Sequence, residues 1–211
     1  MPIAGRVHDA IYSKLVFSRR VKKLTQALDS LIPASASILD VGCGNGAISW
    51  KLSQIRPGRD FTGVEVLARE TCMIPCQIYD GKTIPFEPDS FDYVSFIDVL
   101  HHTTEAEGLL RQAKGIARRG IVIKDHYCES RLDYYTLAFM DWVGNRQYGV
   151  ALPHVYKAAA EWQAIFARLG LWQARTVEGI RFYPGPFNAL FGRKLHFVSL
   201  LKSKPAPSFP S

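Results

Sequence analysis

The stretch that decides the fold of this chain is Ile38-Leu39-Asp40-Val41-Gly42-Cys43-Gly44-Asn45-Gly46. Residues 37–41 predict a short buried strand, and residues 47–54 predict a helix that ends before Pro57-Gly58. A strand that runs directly into glycines and then into a helix can bind a ligand at its carboxyl end. Glycine allows the backbone to approach the ligand closely, and the helix amides point toward it. The run therefore predicts a ligand-binding turn.

The rest of the chain continues this alternation of strands and helices. Further strands are predicted at 61–66, 76–79, 91–97, 121–124, 174–182 and 195–201, and further helices at 17–31, 109–118 and 158–169. Such alternation favours an α/β fold with a doubly wound, Rossmann-like, seven-stranded and mostly parallel sheet. Because no helix separates the last two strands, we expect one antiparallel edge strand.

Composition and charge narrow the class of protein. The 211 residues are 47% hydrophobic and 21% charged, which excludes collagenous, low-complexity and disordered chains. The net charge of +7 is uneven: residues 1–35 carry +4, residues 36–126 carry −2 and residues 127–211 carry +5. The basic flanks fit an anionic substrate, an anionic membrane surface near the mouth of the site, or a merely solvated face.

The cysteines and the start of the chain bear on metal binding and location. Cys72 and Cys76 could ligate a metal, but Pro75 between them argues against one regular helix face, and no partner follows at zinc-site spacing. We therefore expect no metal site. With no signal-peptide pattern and no apolar run long enough for a membrane span, the expected location is cytoplasmic.

Several acidic residues at strand ends decide which ligand the glycines bind. The glycine loop alone also satisfies the dinucleotide pattern GxGxxA, so it does not separate NAD from another adenosine cofactor. The additional features are Asp40 before the glycines, Glu65 near the end of the second strand, Asp80-Gly81 after the third, and Asp98-Val99-Leu100-His101-His102 at the end of the fourth. With these motifs in this order, residues 36–126 resemble the class I S-adenosylmethionine-dependent methyltransferases, in particular the small-molecule branch typified by the methyltransferase type 11 domain.

The resemblance implies S-adenosylmethionine as cofactor, S-adenosylhomocysteine as product, and a role for each motif. The loop residues Asp40, Gly42, Cys43, Gly44 and Gly46 would surround the methionine moiety. Glu65 would bind both ribose hydroxyls, Asp80 would accept from the adenine amino group with Gly81 beside it, and the backbone around Ile97 and Asp98 would face the methionine end.

Residues at the ends of the fourth and fifth strands are candidates for catalysis. A hydroxyl or carbon acceptor must lose a proton, which suits a group that titrates near neutrality. His102 and His126 are the candidate bases, Asp125 could orient a histidine or be a solvated strand end, and His154 is a weaker candidate. The sequence Leu100-His101-His102 recurs in the resembling family across different substrates, so His101 or His102 could instead only shape the cofactor pocket.

The resemblance also divides the chain into functional segments. We expect one methyltransferase domain over residues 1–201, with a helical cover at 1–35 and a cofactor-binding core at 36–126. An aromatic insertion at 127–157 would cover the substrate, and residues 158–201 would add a final helix and strand hairpin. Residues 202–211, with three prolines, are expected to be disordered.

These features predict O- or C-methylation of a small lipophilic molecule, and the basic flanks also fit an anionic one. An RNA or protein methyltransferase is the alternative within the family, although no RNA-binding module accompanies the core, so we do not expect nucleic acid. An NAD-dependent oxidoreductase would lack a recognisable hydride-transfer constellation such as Tyr-x-x-x-Lys. A cofactor-binding subunit without catalysis of its own is the remaining alternative.

Overall fold

The structure is a computed structural model that describes residues 18–145, 153–183, 185, 188, 191 and 194–203. Its strands are β1 (Ser35–Val41), β2 (Gly58–Glu65), β3 (Cys76–Ile78), β4 (Phe91–Ile97), β5 (Ala117–His126), β6 (Leu171–Glu178) and β7 (His196–Ser203). Its helices are α1 (residues 18–29), α2 (Ala47–Ile55), α3 (Ala106–Ile116), α4 (Arg131–Asn145) and α5 (Ala159–Arg168), with a 3-10 turn at Leu100–His102.

The strands form one mixed sheet in the order β3-β2-β1-β4-β5-β7-β6. Strands β1 to β5 pair in parallel, and β7 pairs antiparallel with both β5 and β6. The predicted fold class is confirmed. The two last strands do pair with each other, and β7 is the one that adjoins β5, which leaves β6 at the edge. The strand order reverses between β1 and β4, where doubly wound sheets bind ligands.

Helices cover both faces of the sheet because the parallel strands alternate apolar residues toward each side. One face packs on α3 and α5 through residues such as Leu39, Val41, Phe96, Leu109 and Trp162. The other packs on α1 and α2 through residues such as Ile38, Phe61, Leu24, Leu28 and Leu52. The predicted amphipathic face of the first helix is therefore buried as expected, with Phe17 outside the described residues.

The segment predicted as an aromatic insertion contains a helix that the sequence reading did not assign. Helix α4 begins at Arg131 and ends at Asn145, and residues 146–152 lie outside the described part of the chain. At the other end, residues 202 and 203 continue β7, so the predicted disordered tail begins too early; residues 204–211 are outside the described residues. Within the described ranges, no helix is both long and apolar enough to cross a bilayer.

Candidate active site

The glycine loop follows β1, at the point where the strand order reverses. Gly42, Gly44 and Gly46 all have positive φ, and the amide of Gly42 donates to the carbonyl of Val64 at 2.8 Å. A Cβ on Gly42 would lie 2.5 Å from Val99 Cγ2, whereas a Cβ on Gly44 would meet no atom within 4 Å. The loop is thus packed against the protein at Gly42 and open at Gly44, which leaves room for a ligand.

The carboxylate of Glu65 lies beside this open side of the loop. It is buried, with Oε2 accepting from the amide of Gly44 at 2.7 Å and Oε1 accepting from the amide of Val66 at 2.8 Å. Each carboxylate oxygen has a second lone pair. Oε1 also accepts a longer bond from the amide of Leu67 at 3.4 Å, so Oε2 is the oxygen that keeps a lone pair for a ligand hydroxyl in the open space.

Asp80 is exposed at the end of the loop that follows β3. Its Oδ1 accepts from the amides of Thr83 at 2.7 Å and Lys82 at 2.8 Å, and these bonds lower the pKa of Asp80 from its ordinary value. The carboxylate is therefore ionised at neutral pH, and its second oxygen can accept from an amino group. Gly81 adopts a φ of 77°, which allows the tight turn.

Asp40 and the side chain of Cys43 lie beneath the glycine loop. Asp40 is buried there, where Oδ2 accepts from Ser49 Oγ at 2.6 Å and Oδ1 from Ser95 Oγ at 2.9 Å. Burial raises the pKa of Asp40 to about 6, although both serine bonds act to lower it. Asp40 therefore supports the loop from below, and its contact with the methionine moiety stays a prediction. The Cys43 thiol turns away toward β2 and β3, so only its backbone can face a ligand.

A group of charged side chains lies at the ends of β4 and β5. Asp98, which has a φ of 59°, accepts from Arg20 Nη2 at 2.9 Å and from the Nζ of Lys124. Lys124 is 0% exposed and also donates to His126 Nε2 at 3.2 Å. Burial alone would raise the pKa of Asp98, but the charges of Lys124 and Arg20 bring it well below its ordinary value. The predicted residue Asp98 is thus the anionic centre of this cluster, and its neighbour Ile97 packs against the core.

His101 is held between two carboxylates. Its Nδ1 lies 2.8 Å from Asp125 Oδ1, and its Nε2 lies 3.4 Å from Asp141 Oδ2. Burial favours the neutral ring, but both carboxylates oppose it and raise the pKa of His101 to about 10. Burial would likewise raise the pKa of Asp125, and the charge of His101 lowers it instead. His101 is therefore an imidazolium at neutral pH, and Asp125 fixes its orientation.

The two predicted bases differ in access. His102 is half-buried, its ring centroid lies 3.9 Å from that of His101, and burial together with the positive His101 lowers its pKa to about 4. His126 is fully buried, burial takes its pKa well below the ordinary value, and its Nε2 accepts from Lys124. Both rings are neutral at pH 7, but His102 is the one with an accessible surface.

Aromatic residues cover one side of this cluster. The Tyr156 hydroxyl donates to Asp141 Oδ2 and accepts from Nδ1 of His154 at 3.1 Å, and the ring of Tyr134 packs edge-on against Tyr156 at 5.7 Å. Tyr127 instead belongs to the core, stacked on Phe197. Tyr135, Phe139 and Trp142 are exposed, and Tyr148 lies outside the described residues. Of the aromatic residues in the predicted insertion, Tyr134 and Tyr156 thus lie at the cluster, and their covering a substrate stays a prediction.

Sequence reading missed four residues of the cluster: Arg20, His101 as its centre, Lys124 and Asp141. A lysine within the apolar run Ile121-Val122-Ile123-Lys124 was a usable signal, because a buried strand excludes an unpaired charge. Arg20 and Asp141 gave no such signal, since both lie on amphipathic helices where a charged residue is ordinary.

Two sets of side chains in the cluster bring metal-binding atoms within 4.8 Å of one another: Asp98, His101 and His126, and His101, His102 and Asp141. The atoms of the first set already bind Lys124 and Asp125. In the second set, His101 and Asp141 pair with each other and Asp141 accepts from Tyr156. The cluster is thus built around internal ion pairs.

Comparison with known families identifies the chain. A family model described as a methyltransferase domain matches residues 12–172. The chain belongs to this methyltransferase family. It is a class I, Rossmann-like enzyme whose cofactor is S-adenosylmethionine. The loop fits that cofactor, because the space at Gly44 is open, Glu65 offers acceptors for a ribose, and Asp80 offers one for an adenine amino group.

The names of two curated relatives of the methyltransferase indicate different substrates. Over 104 residues it is 31% identical to the probable tRNA methyltransferase 9B of Mus musculus, with 48% of this chain and 23% of the relative covered. Over 113 residues it is 26% identical to the 27-O-demethylrifamycin SV methyltransferase of Amycolatopsis mediterranei (strain S699), with 46% and 41% covered. The chain thus spans less than half the length of these relatives.

Solved structures resemble the methyltransferase over nearly its full length. A chain from the complex of the Haloferax volcanii Trm112 methyltransferase activator with a methyltransferase has a TM-score of 0.70 and 15% identity, covering 95% of this chain and 96% of that one. An S-adenosylmethionine-dependent methyltransferase from Thermotoga maritima has a TM-score of 0.67 and 16% identity, covering 93% and 96%. At such identities the likeness shows the fold.

Proposed function

We propose that this methyltransferase methylates an oxygen or an acidic carbon of a small lipophilic molecule. The observation that supports the proposal is a neutral histidine, His102, whose ring packs on His101 in a buried ion-pair cluster that Tyr156 covers. When bound, S-adenosylmethionine supplies an already activated methyl group. The chain must then position the acceptor, exclude water and take up the acceptor's proton.

His102 is the proposed base among the three residues predicted as catalytic. It is unprotonated at neutral pH because burial and the adjacent imidazolium of His101 oppose a second positive charge. Asp125 acts through His101, which it holds cationic and oriented. His126 is a positioning residue, since its Nε2 is occupied by Lys124. Of the two predicted bases, His102 and His126, we therefore propose His102.

The shape of the site supports a small acceptor. Tyr156 stacks on His101 and donates to Asp141, and Tyr134 packs on Tyr156, so rings and fixed polar groups lie together next to His102. Sites of this kind, lined by rings with a few fixed polar groups, suit small molecules. The expected anionic character of the acceptor has less support, because Asp98 already binds both Arg20 and Lys124.

The outer face of α4 supports lipophilic character. It exposes Leu132, Tyr135, Phe139, Trp142 and Val143, each between 47% and 64% exposed, at helical spacing. The inner face of the same helix carries Asp141, which belongs to the cluster. Tyr, Trp and Phe on one helix face suit a lipid interface, and α1 presents Arg19 and Lys22 to solvent. We propose that the enzyme meets its acceptor at an anionic membrane surface.

The acceptor class can be tested by methyl transfer from a radiolabelled donor to three fractions: apolar lipids, polar metabolites and bulk tRNA. We expect the label in the apolar fraction and salt-sensitive retention of the protein by anionic liposomes. Transfer to tRNA would instead support the second candidate function, RNA methylation, which the similarity to the mouse tRNA methyltransferase relative favours.

The role of His102 has its own test. We expect His102→Ala to lower the turnover rate by roughly 100-fold, with unchanged S-adenosylhomocysteine affinity; this is the low end of a base's usual contribution, because a histidine with a pKa of about 4 is a weaker base than one that titrates near neutrality. Because the pKa of His102 is about 4, wild-type turnover should stay flat between pH 6 and 8 and fall only as the pH approaches 4. Thr104→Ala, an exposed change two residues away, is the control. Near-normal turnover in His102→Ala would refute the assignment.

A further inference from the structure

Three of the four cysteines meet beneath the glycine loop. Cys43 comes from the loop itself, Cys72 from the segment before β3, and Cys76 from the first position of β3. Their three Sγ atoms lie within 4.8 Å of one another, and those of Cys43 and Cys76 are 3.4 Å apart. The sequence offered only Cys72 and Cys76 as neighbours, and the fold adds the third thiol.

The backbone around the three thiols is fixed by contacts that leave little freedom to separate them. The amide of Gly63 donates to Pro75 at 2.7 Å, and the amide of Met73 donates to Asn45 at 2.9 Å. A Cβ on Gly63 would lie 2.5 Å from Cys43 Sγ, so the thiol occupies the space that this glycine leaves. The cluster is therefore built into the packing between the loop, β2 and β3.

We propose that Cys43, Cys72 and Cys76 form a three-thiolate site for one thiophilic d10 cation, Zn²⁺ or Cu⁺. Three convergent sulfur donors are the set that soft metal ions prefer. Cys76 is exposed, which gives the ion a path from solvent. Binding exchanges each S–H proton for a metal–sulfur bond and releases the proton to solvent, with no change of oxidation state.

The surrounding charge favours a cation over a disulfide at this place. The carboxylates of Asp40 and Glu65 act through space on the thiols of Cys43 and Cys76 respectively. Their negative charge attracts a cation, and a bound cation in turn offsets the charge of the thiolates that hold it. A disulfide would also leave the third thiol without a role.

The test is metal titration of the reduced, metal-free, full-length chain. We expect one equivalent of Co²⁺, used as a spectroscopic probe for Zn²⁺, to give sulfur-to-metal charge-transfer absorption that one equivalent of Zn²⁺ abolishes. A parallel arm measures Cu⁺ against a competing chelator. Loss of a hydrogen-bond partner of a metal ligand typically weakens metal binding by roughly 10- to 100-fold, and loss of a ligand should cost at least as much. We therefore expect binding to weaken by roughly 100-fold or more in each of three variants, Cys43→Ser, Cys72→Ser and Cys76→Ser. Cys128→Ser, the fourth cysteine on a different loop, should bind normally.

A second measurement needs no variant. Bound metal should protect three thiols of the wild-type chain from alkylation and leave Cys128 reactive, as read by peptide mass spectrometry. The proposal is overturned if neither ion binds, if binding survives all three substitutions, or if metal leaves the alkylation pattern unchanged. It is also overturned if a mild thiol oxidant such as oxidised glutathione converts Cys43 and Cys76 to a disulfide while no metal binds.

Discussion

Substituting Gly44 by alanine separates what the loop needs for folding from what it needs for binding. Gly44 has a φ of 59°, and an alanine Cβ there would meet no protein atom within 4 Å. The backbone strain of an alanine in this left-handed conformation costs about 1–2 kcal/mol. No clash is added within the protein, so Gly44→Ala should fold. Its methyl group would protrude into the space that the cofactor is expected to fill.

The chain offers a matched control for this substitution. Gly179, directly after β6, has a φ of 65° and also nothing within 4 Å of a Cβ, so Gly179→Ala should carry the same backbone cost. Urea unfolding should show the same loss of stability in both variants, about 1–2 kcal/mol. Intruding on a bound ligand by one methyl group costs about 1–3 kcal/mol, which weakens binding by roughly 5- to 150-fold.

Calorimetric titration with S-adenosylhomocysteine measures the difference. We expect the weakened affinity in Gly44→Ala and wild-type affinity in Gly179→Ala. Equal affinity in the two variants would show that the open side of Gly44 does not face the cofactor. A much larger loss of stability in Gly44→Ala than in the control would show that the apparent space is filled in solution.

Two further predictions concern the buried carboxylates. The pKa of Asp40 is raised to about 6, so the folded chain loses stability as the pH rises from the ordinary value of 3.8 through 6. Measured by urea unfolding, the stability of Asp40→Asn relative to wild type should therefore increase by about 1.4 kcal/mol between pH 5 and 8. A difference that stays constant over this range would refute the raised pKa. Asp125→Asn should destabilise the protein by about 3–5 kcal/mol at pH 6, because it removes one partner of a buried pair. The pKa of His101 is about 10 in the folded chain and 6.5 in the unfolded chain, so the stability difference between wild type and Asp125→Asn should narrow as the pH rises from 6.5 toward 10. Proton NMR should show a lowered pKa of His101 in the variant. An unchanged His101 titration would contradict the pairing.

Local sequence signals predicted the cofactor side of the molecule well. The glycine run, Glu65 and Asp80 each sit at the end of a strand, and parallel strands bring their carboxyl ends to one edge of the sheet. The structure places Glu65 against Gly44 as that reasoning requires. Asp40 was harder, because a carboxylate next to a loop and one beneath it look alike in sequence, and only the two serines from α2 and β4 show its burial.

The catalytic side depended on contacts between distant parts of the chain. Asp98 binds Arg20 from 78 residues earlier and Lys124 from 26 residues later, and no local pattern encodes either pairing. Lys124 and His126 are two residues apart on β5, so their side chains lie on the same face of the strand and can form a hydrogen bond. This spacing does not show that Lys124 also pairs with Asp98. The three-cysteine cluster likewise needed the fold to bring Cys43 to Cys72 and Cys76.

The place of β7 between β5 and β6 governs the order in which the molecule can be completed during synthesis. Both neighbours leave the ribosome before β7, yet neither can pair with the other, because β7 lies between them. The outer edge of β5 therefore keeps its backbone groups unpaired until residues 196–203 have been made. β4 holds one side of the end of β5, up to Lys124, and His126 pairs in register with His196 on the other side. The nascent chain can therefore form the cofactor loop early, but the strand end that carries the ion-pair cluster gains its second neighbour last.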